Sequence, residues 1–193
     1  MEQALQQHNT DDKTTFGFWV YLMTDLVMFA ALFATFAVLR GNTFGGPGGR
    51  ELFNLRFALL ETFVLLVSSF TCGLASIAVQ RGSKNQTIFW FVFTLTLGLT
   101  FLALELTEFS HLIADGNSWT RNAFLSSFFA LVGTHGLHIA VGLLWMVVAM
   151  FQIWFKGLTS FIVSKLTRLI LFWHFLDLVW IFIFTIVYLY AYV

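Results

Sequence analysis

Five of the ten acidic residues of this 193-residue chain lie inside long apolar runs: Asp25, Glu61, Glu105, Glu108 and Asp177. His135, His138 and His174 lie in the same runs, whereas the ten Lys and Arg fall between the runs or at their ends. A carboxylate in hydrocarbon is expensive and needs a partner, a proton or a task. With no base at the same depth, the partner must be a hydrogen-bond donor, a nearby His, a lipid head group or another subunit. This one-sided distribution points to a subunit of a larger membrane assembly that handles protons.

The spacing of these residues narrows the chemistry. Glu105, Glu108 and His111 recur every three residues and share one helix face. His135 and His138 stand at i, i+3, as do His174 and Asp177, with Trp180 following on the same face. Di-iron bundles use Glu-x-x-His pairs plus single Glu residues. Here the pairs are Glu-x-x-Glu, His-x-x-His and His-x-x-Asp, so no metal, cofactor or catalytic set is expected in this chain. A haem held by two of the His is a second reading. The plainest reading is interhelical hydrogen bonding, with neutral His and acids that are protonated or hydrogen-bonded. A proton-handling or lipid-head-group role is compatible with it.

The elements that carry these residues follow from composition. The chain is 59% hydrophobic, 10% charged and has a mean hydropathy of +0.83, which excludes a soluble domain of this length. Phe supplies 25 residues, and the single Pro leaves long helices uninterrupted. The net charge of zero and the lack of a basic tract exclude nucleic-acid binding. Cys72, the only cysteine, reads as a small packing residue. A bilayer core needs about 20 apolar residues per helix. The expected fold class is therefore an all-α integral membrane bundle of five transmembrane helices, at 16–39, 57–79, 88–109, 123–154 and 169–193. Residues 1–15 read as a polar N-terminal tail without the basic start of a secretory signal. Residues 41–51, with five Gly and the Pro, form a turn-rich connection. Residues 16–193 form one domain, and no internal repeat suggests an inverted-repeat transporter.

Lys and Arg bias favours an N-terminus inside and a C-terminus outside. The inner segments hold Lys13, Arg81, Lys84, Lys156, Lys165 and Arg168; the outer ones hold Arg40, Arg50, Arg56 and Arg121. Helical rise then sorts the polar residues by depth. Asp25, His174 and Asp177 fall roughly 8–14 Å from the inner end, and Glu105, His135 and His138 roughly 24–28 Å from it. Glu61 enters from the outer side. An inner group joining Asp25 to His174 or Asp177 is expected, and an outer group joining Glu61 and Glu105 to His135 or His138. Small residues on the second span (Ser68, Cys72, Ser76) and the fourth (Gly136, Ala140) allow close helix approach.

Four ordered segments carry a family resemblance. They are M-T-D-L-V-M-F-A-A-L-F at 23–33, L-G-L-T-F-L-A-L-E-L-T-E-F at 97–109, S-S-F-F-A-L-V-G-T-H-G-L-H at 126–138 and F-W-H-F-L-D-L-V-W-I-F at 172–182. Together they resemble subunit III of the haem-copper terminal oxidases, over nearly the whole chain from Phe16. The five-helix form and the G-G-P-G-G loop look most like the cytochrome o type that oxidises ubiquinol in bacterial plasma membranes. The resemblance implies a subunit without haem or copper of its own. Those cofactors belong to subunit I, against which this subunit packs while binding phospholipid and supporting proton uptake. It also implies that Asp25 takes the intramembrane carboxylate role, with one carbon less than the commoner Glu. Glu108, His135, His138, His174, Asp177 and Trp180 fall on family motif positions.

The expected function is thus that of a non-catalytic subunit III in a proton-pumping ubiquinol oxidase of the aerobic respiratory chain, where oxygen is reduced to water. Its rivals are the same subunit in a five-helix cytochrome c oxidase, an independent proton or ion transporter, and a di-haem membrane cytochrome.

Overall fold

A computed structural model describes residues 2–46 and 48–192, with side chains from residue 13 onward. It contains α1 (Glu2–Leu39), a one-turn α2 (Gly49–Leu52), α3 (Leu55–Gln80), α4 (Lys84–Ala114), α5 (Ala123–Lys156) and α6 (Ser160–Ile183). A π-helical turn at Phe184–Leu189 and a 3-10 turn at Tyr190–Tyr192 continue α6. Five helices are long and apolar enough to cross a membrane, and no strand occurs among the described residues.

The helix starts follow their caps. Asn54 accepts a hydrogen bond from the Arg56 amide, Asn122 from the Leu125 amide and Thr159 from the Ile162 amide, each satisfying a first-turn donor of α3, α5 or α6. Gly157, at φ 70°, terminates α5 in a backbone conformation that a side chain would resist.

Two element bounds differ from the sequence expectation. The first helix is continuous from Glu2, so the polar stretch read as a tail joins α1 rather than preceding it; no Pro interrupts it. The last helix begins at Ser160, nine residues before the expected 169, because its opening turns carry Lys165 and Arg168, which hydropathy discounts. Long basic side chains near a helix end reach the interface without breaking the helix.

Helices α3, α4, α5 and α6 pack in a closed ring, and α1 lies outside it against α5 and α6. Small and polar residues set the close contacts inside the ring. Ser68 accepts from Trp173 Nε1 at 3.1 Å, and the Thr71 and Thr94 hydroxyls meet at 2.9 Å. Ser68 and Cys72 are buried, as an internally packed small-residue face requires. The outward faces are apolar and exposed, among them Val27, Phe63, Phe70 and Leu144. The ends register through their bases. Lys84 Nζ donates to the Trp154 carbonyl at 2.8 Å at one end, and Arg40 donates to the Tyr190 hydroxyl at 3.2 Å at the other.

Candidate functional site: two intramembrane carboxyl sites

The buried acids do not form one polar layer. They divide between the seam where α1 meets the ring and the interior of the ring itself.

At the seam, Asp25 of α1 faces His138 of α5, with Oδ2 at 3.8 Å from Nε2. The other ring nitrogen, Nδ1, lies 2.7 Å from the Thr134 carbonyl one turn earlier, an acceptor that requires Nδ1 to carry its hydrogen. That fixes the tautomer logic of the pair. At 3.8 Å the two side chains face each other without a direct hydrogen bond, and Asp25 Oδ2 is buried without a hydrogen-bond partner among the described residues. Phe29, one turn after Asp25, packs its ring 5.4 Å from the His138 ring. Tyr21, one turn before, turns its hydroxyl toward the carboxyl.

Inside the ring, α3 contributes Glu61, α4 contributes Glu105 and Glu108, and the π-helical turn contributes Tyr188. Tyr188 donates to Glu108 Oε2 at 2.7 Å, and Glu61 and Glu105 lie nearby in the same interior. The Glu105 carboxyl rests on Gly136 of α5, where a β-carbon would come within 2.6 Å of Oε1 and 2.9 Å of Oε2. Glycine at 136 therefore creates the space for the carboxyl. Both oxygens of Glu61 and Oε2 of Glu105 are buried without a hydrogen-bond partner among the described residues.

His135 lies beside this cluster in an aromatic cage. Its ring stacks on Trp180 at 5.3 Å, with Phe101 at 6.1 Å and Phe29 at 6.3 Å, and neither ring nitrogen has a hydrogen-bond partner among the described residues. Trp180 Nε1 donates to Thr62 at 3.1 Å, fixing the indole against α3. Asp177 faces Ser69 and Cys72 of α3, deeper in the ring.

The expected pairings therefore change. Asp25 meets His138, not His174 or Asp177. His174 is exposed on α6, its Nδ1 2.7 Å from the Ile170 carbonyl. Neither Glu61 nor Glu105 hydrogen-bonds to His135 or His138. The depth arithmetic failed at α5. Its 34 residues span about 51 Å, well beyond the bilayer core, so counting from its far end places His138 about two turns too far from Asp25. Tyr188, Thr62 and Tyr21 carry no role in the sequence reading; Gly136 is expected there as a close-approach residue, and the structure adds that it seats the Glu105 carboxyl. Tyr188 had a signal, since Asp177, Trp180, Phe184 and Tyr188 recur at helical spacing. The π turn that re-aims Tyr188 had none.

Two clefts open at opposite ends of the bundle. One, of about 330 Å³, is lined by Asn54, Thr107, Glu108, His111 and Asp115 and leads from the end bearing the Gly-rich loop to Glu108. The other, of about 550 Å³, lies among α1, α5 and α6 and is lined by Phe18, Trp145, Gln152, Lys165 and Arg168. Arg168 Nη1 is buried there without a partner among the described residues.

The four described His of the spans do not converge; His111 lines the cleft that leads to Glu108. His135 is enclosed by rings, His138 turns to Asp25, and His174 faces outward. They do not fit a haem axial pair or a copper ligand set, and no group of three His, Cys, Asp or Glu among the described residues is placed to hold a metal ion.

Comparison with known proteins gives a consistent answer. Residues 2–192 match the family described as cytochrome c oxidase subunit III. The chain is 55% identical to the cytochrome bo(3) ubiquinol oxidase subunit 3 of Pseudomonas aeruginosa, over 94% of this chain and 87% of that protein. It is 50% identical to the protein of the same description from Pseudomonas putida, over 94% and 88%. It is 45% identical to the quinol oxidase subunit 3 of Bacillus spizizenii, over 95% and 90%.

Proposed function

The chain belongs to the cytochrome c oxidase subunit III family, and from that premise we propose that it is subunit III of a proton-pumping, cytochrome o-type ubiquinol oxidase in a bacterial plasma membrane. The observation that carries this reading is the 55% identity, over nearly the full length, to a ubiquinol oxidase subunit 3. The chain is a supporting subunit without a catalytic site. Haem and copper reside in subunit I, consistent with His side chains here that point to different places. The N-terminus is cytoplasmic and the C-terminus periplasmic, which puts Lys13, Arg81, Lys84, Lys156, Lys165 and Arg168 on the inner side.

In this reading α1 is the docking helix. It touches its own ring on one side only, and the exposed Val20, Val27 and Val38 are free for subunit I. The Asp25–His138 pair pins α1 to the ring and so holds that face in place. The cleft with Lys165 and Arg168 takes a phospholipid. Its two cations match an anionic head group, and Phe18, Trp145 and Leu166 offer an apolar wall to an acyl chain. Bound lipid and a fixed α1 support sustained proton uptake by the assembly.

The test is the electron donor. A tagged copy purified in mild detergent is expected to bring down a haem-bearing partner whose oxygen uptake is driven by ubiquinol and not by reduced cytochrome c. Uptake driven by cytochrome c alone would move the chain to the cytochrome c branch of the same family.

A further inference from the structure

The ring's carboxyl cluster is rich in acceptors and poor in donors. Three carboxyl groups share the ring interior there, and among the described residues the one hydroxyl seen donating to them is that of Tyr188, to Glu108. The neighbouring donors are already committed: Trp180 Nε1 donates to Thr62, and Thr62 donates to the Ala58 carbonyl. Glu61 is 0% and Glu105 1% exposed, yet both oxygens of the first and Oε2 of the second lack partners. Unpaired polar atoms at this depth are costly, and buried water is the usual remedy where a polar site has room. The room is adjacent. Glu108 lines the cleft of about 330 Å³ at the α3–α4 mouth and also accepts from Tyr188, so it stands between bulk water and the two enclosed acids.

We infer that Glu61, Glu105, Glu108 and Tyr188 enclose an ordered water cluster, fed through the Asn54–Thr107–Asp115 mouth, that stores protons exchangeable with the side of the membrane bearing the Gly-rich loop. Three negative charges with no Lys or Arg at their depth would be prohibitive, so the cluster carries protons. Loading takes one proton from a hydronium ion at the mouth, leaves a water molecule behind and lowers the negative charge of the cluster by one. Release reverses this. Tyr188 and water supply the hydrogen bonds along which the proton moves. A metal cation is the poorer occupant, because hard cations need many converging oxygens and the acidic side chains are not so placed. The titratable groups facing the cluster are Glu61 from α3, Glu105 and Glu108 from α4, His135 from α5 and Tyr188 from the π turn. His111 and Asp115 sit at the mouth. Asp25 and His138 lie beyond Phe29, and Asp177 deeper toward Ser69. The inference requires only the spanning bundle and stands whether or not the assembly proves to be a quinol oxidase.

The experiment is infrared spectroscopy of the purified complex during exchange from H₂O into D₂O. Protonated carboxyl groups absorb apart from ionised ones, and their band shifts when O–H becomes O–D. A shift complete within the buffer exchange is expected, with E61Q and E105Q each removing part of the shifting band. Thr107→Trp, which plugs the mouth from α4, is expected to slow the shift at least tenfold. Leu106→Trp, one residue away on the exposed lipid face, is expected to leave it unchanged. A wild-type band that does not exchange would mean a dry cluster and overturn the inference. So would an exchange rate in Thr107→Trp equal to wild type, or a band that moves with added sodium or potassium but not with D₂O.

Discussion

Asp25 and Glu61 are both buried acids in apolar helices with no base at their depth, and the molecule treats them in opposite ways. Asp25 sits on the one spanning helix outside the ring, where its carboxyl faces a single His at 3.8 Å across the seam. Glu61 sits inside the ring with two further carboxyls, and its surroundings offer aromatic rings in place of donors. A two-member pair across a seam sets how two bodies fit together. A crowded cluster in a closed ring needs small ligands from outside. The position of an acid relative to the helix packing, more than its depth, decides what it is for.

The largest effect is expected at the cluster, because its space is defined by a missing β-carbon. Gly136→Ala brings a methyl group into the Glu105 carboxyl, and overpacking of this kind costs about 1–3 kcal/mol. The expected outcome is a lowered thermal stability of the detergent-solubilised complex together with a perturbed carboxyl infrared band. An unchanged band would detach Glu105 from Gly136 and blur the contrast with the seam.

The seam should respond through assembly. Asp25→Leu removes the carboxyl that faces the partly buried His138 Nε2, a loss of about 1 kcal/mol for a polar contact, and subunit content measured by gel is expected to fall. Asp25→Asn keeps the shape and a hydrogen-bonding group and is expected to remain assembled with normal initial oxygen uptake. Combining Asp25→Leu with His138→Phe removes both polar partners and should recover most of the loss, since neither is then stranded. A double variant as poor as Asp25→Leu would show that the carboxyl serves something other than His138.

The smallest effect on the two sites is expected from Trp173→Phe, which belongs to neither. It removes the indole donor to buried Ser68 and ring volume packed on Gly98 and Gly142 and should cost about 1–3 kcal/mol in stability, with no change in the carboxyl band or in subunit content. A change in either would mean that the ring and its polar cluster are more tightly coupled than their separate contacts indicate.

Much of this arrangement was legible in the sequence. The apolar runs located five spanning helices, and the i, i+3 spacing placed Glu105 and Glu108 on one face and Asp177 and Trp180 on another. The order of the motifs pointed to the family. What remained hidden depends on geometry between helices. Hydropathy could not show that α6 starts at Ser160, because basic residues in its first turns reach the interface with their long side chains. Depth counting misplaced His138 because α5 is longer than the membrane is thick. The pairing of Asp25 with His138 depends on α1 lying outside the ring, which no local pattern encodes. Tyr188 reaches Glu108 through a π-helical turn, and ordinary helical periodicity does not announce one.

Under the function proposed above, the buried acids and histidines serve assembly and protons while the redox centres lie in a partner chain. The most direct test is to separate the subunits of the purified complex under mild conditions and record the visible absorption spectrum and metal content of this chain alone. The expected result is a colourless chain with no stoichiometric iron or copper, the haem absorption remaining with the partner. A haem Soret band, or one equivalent of metal, travelling with the isolated chain would contradict it.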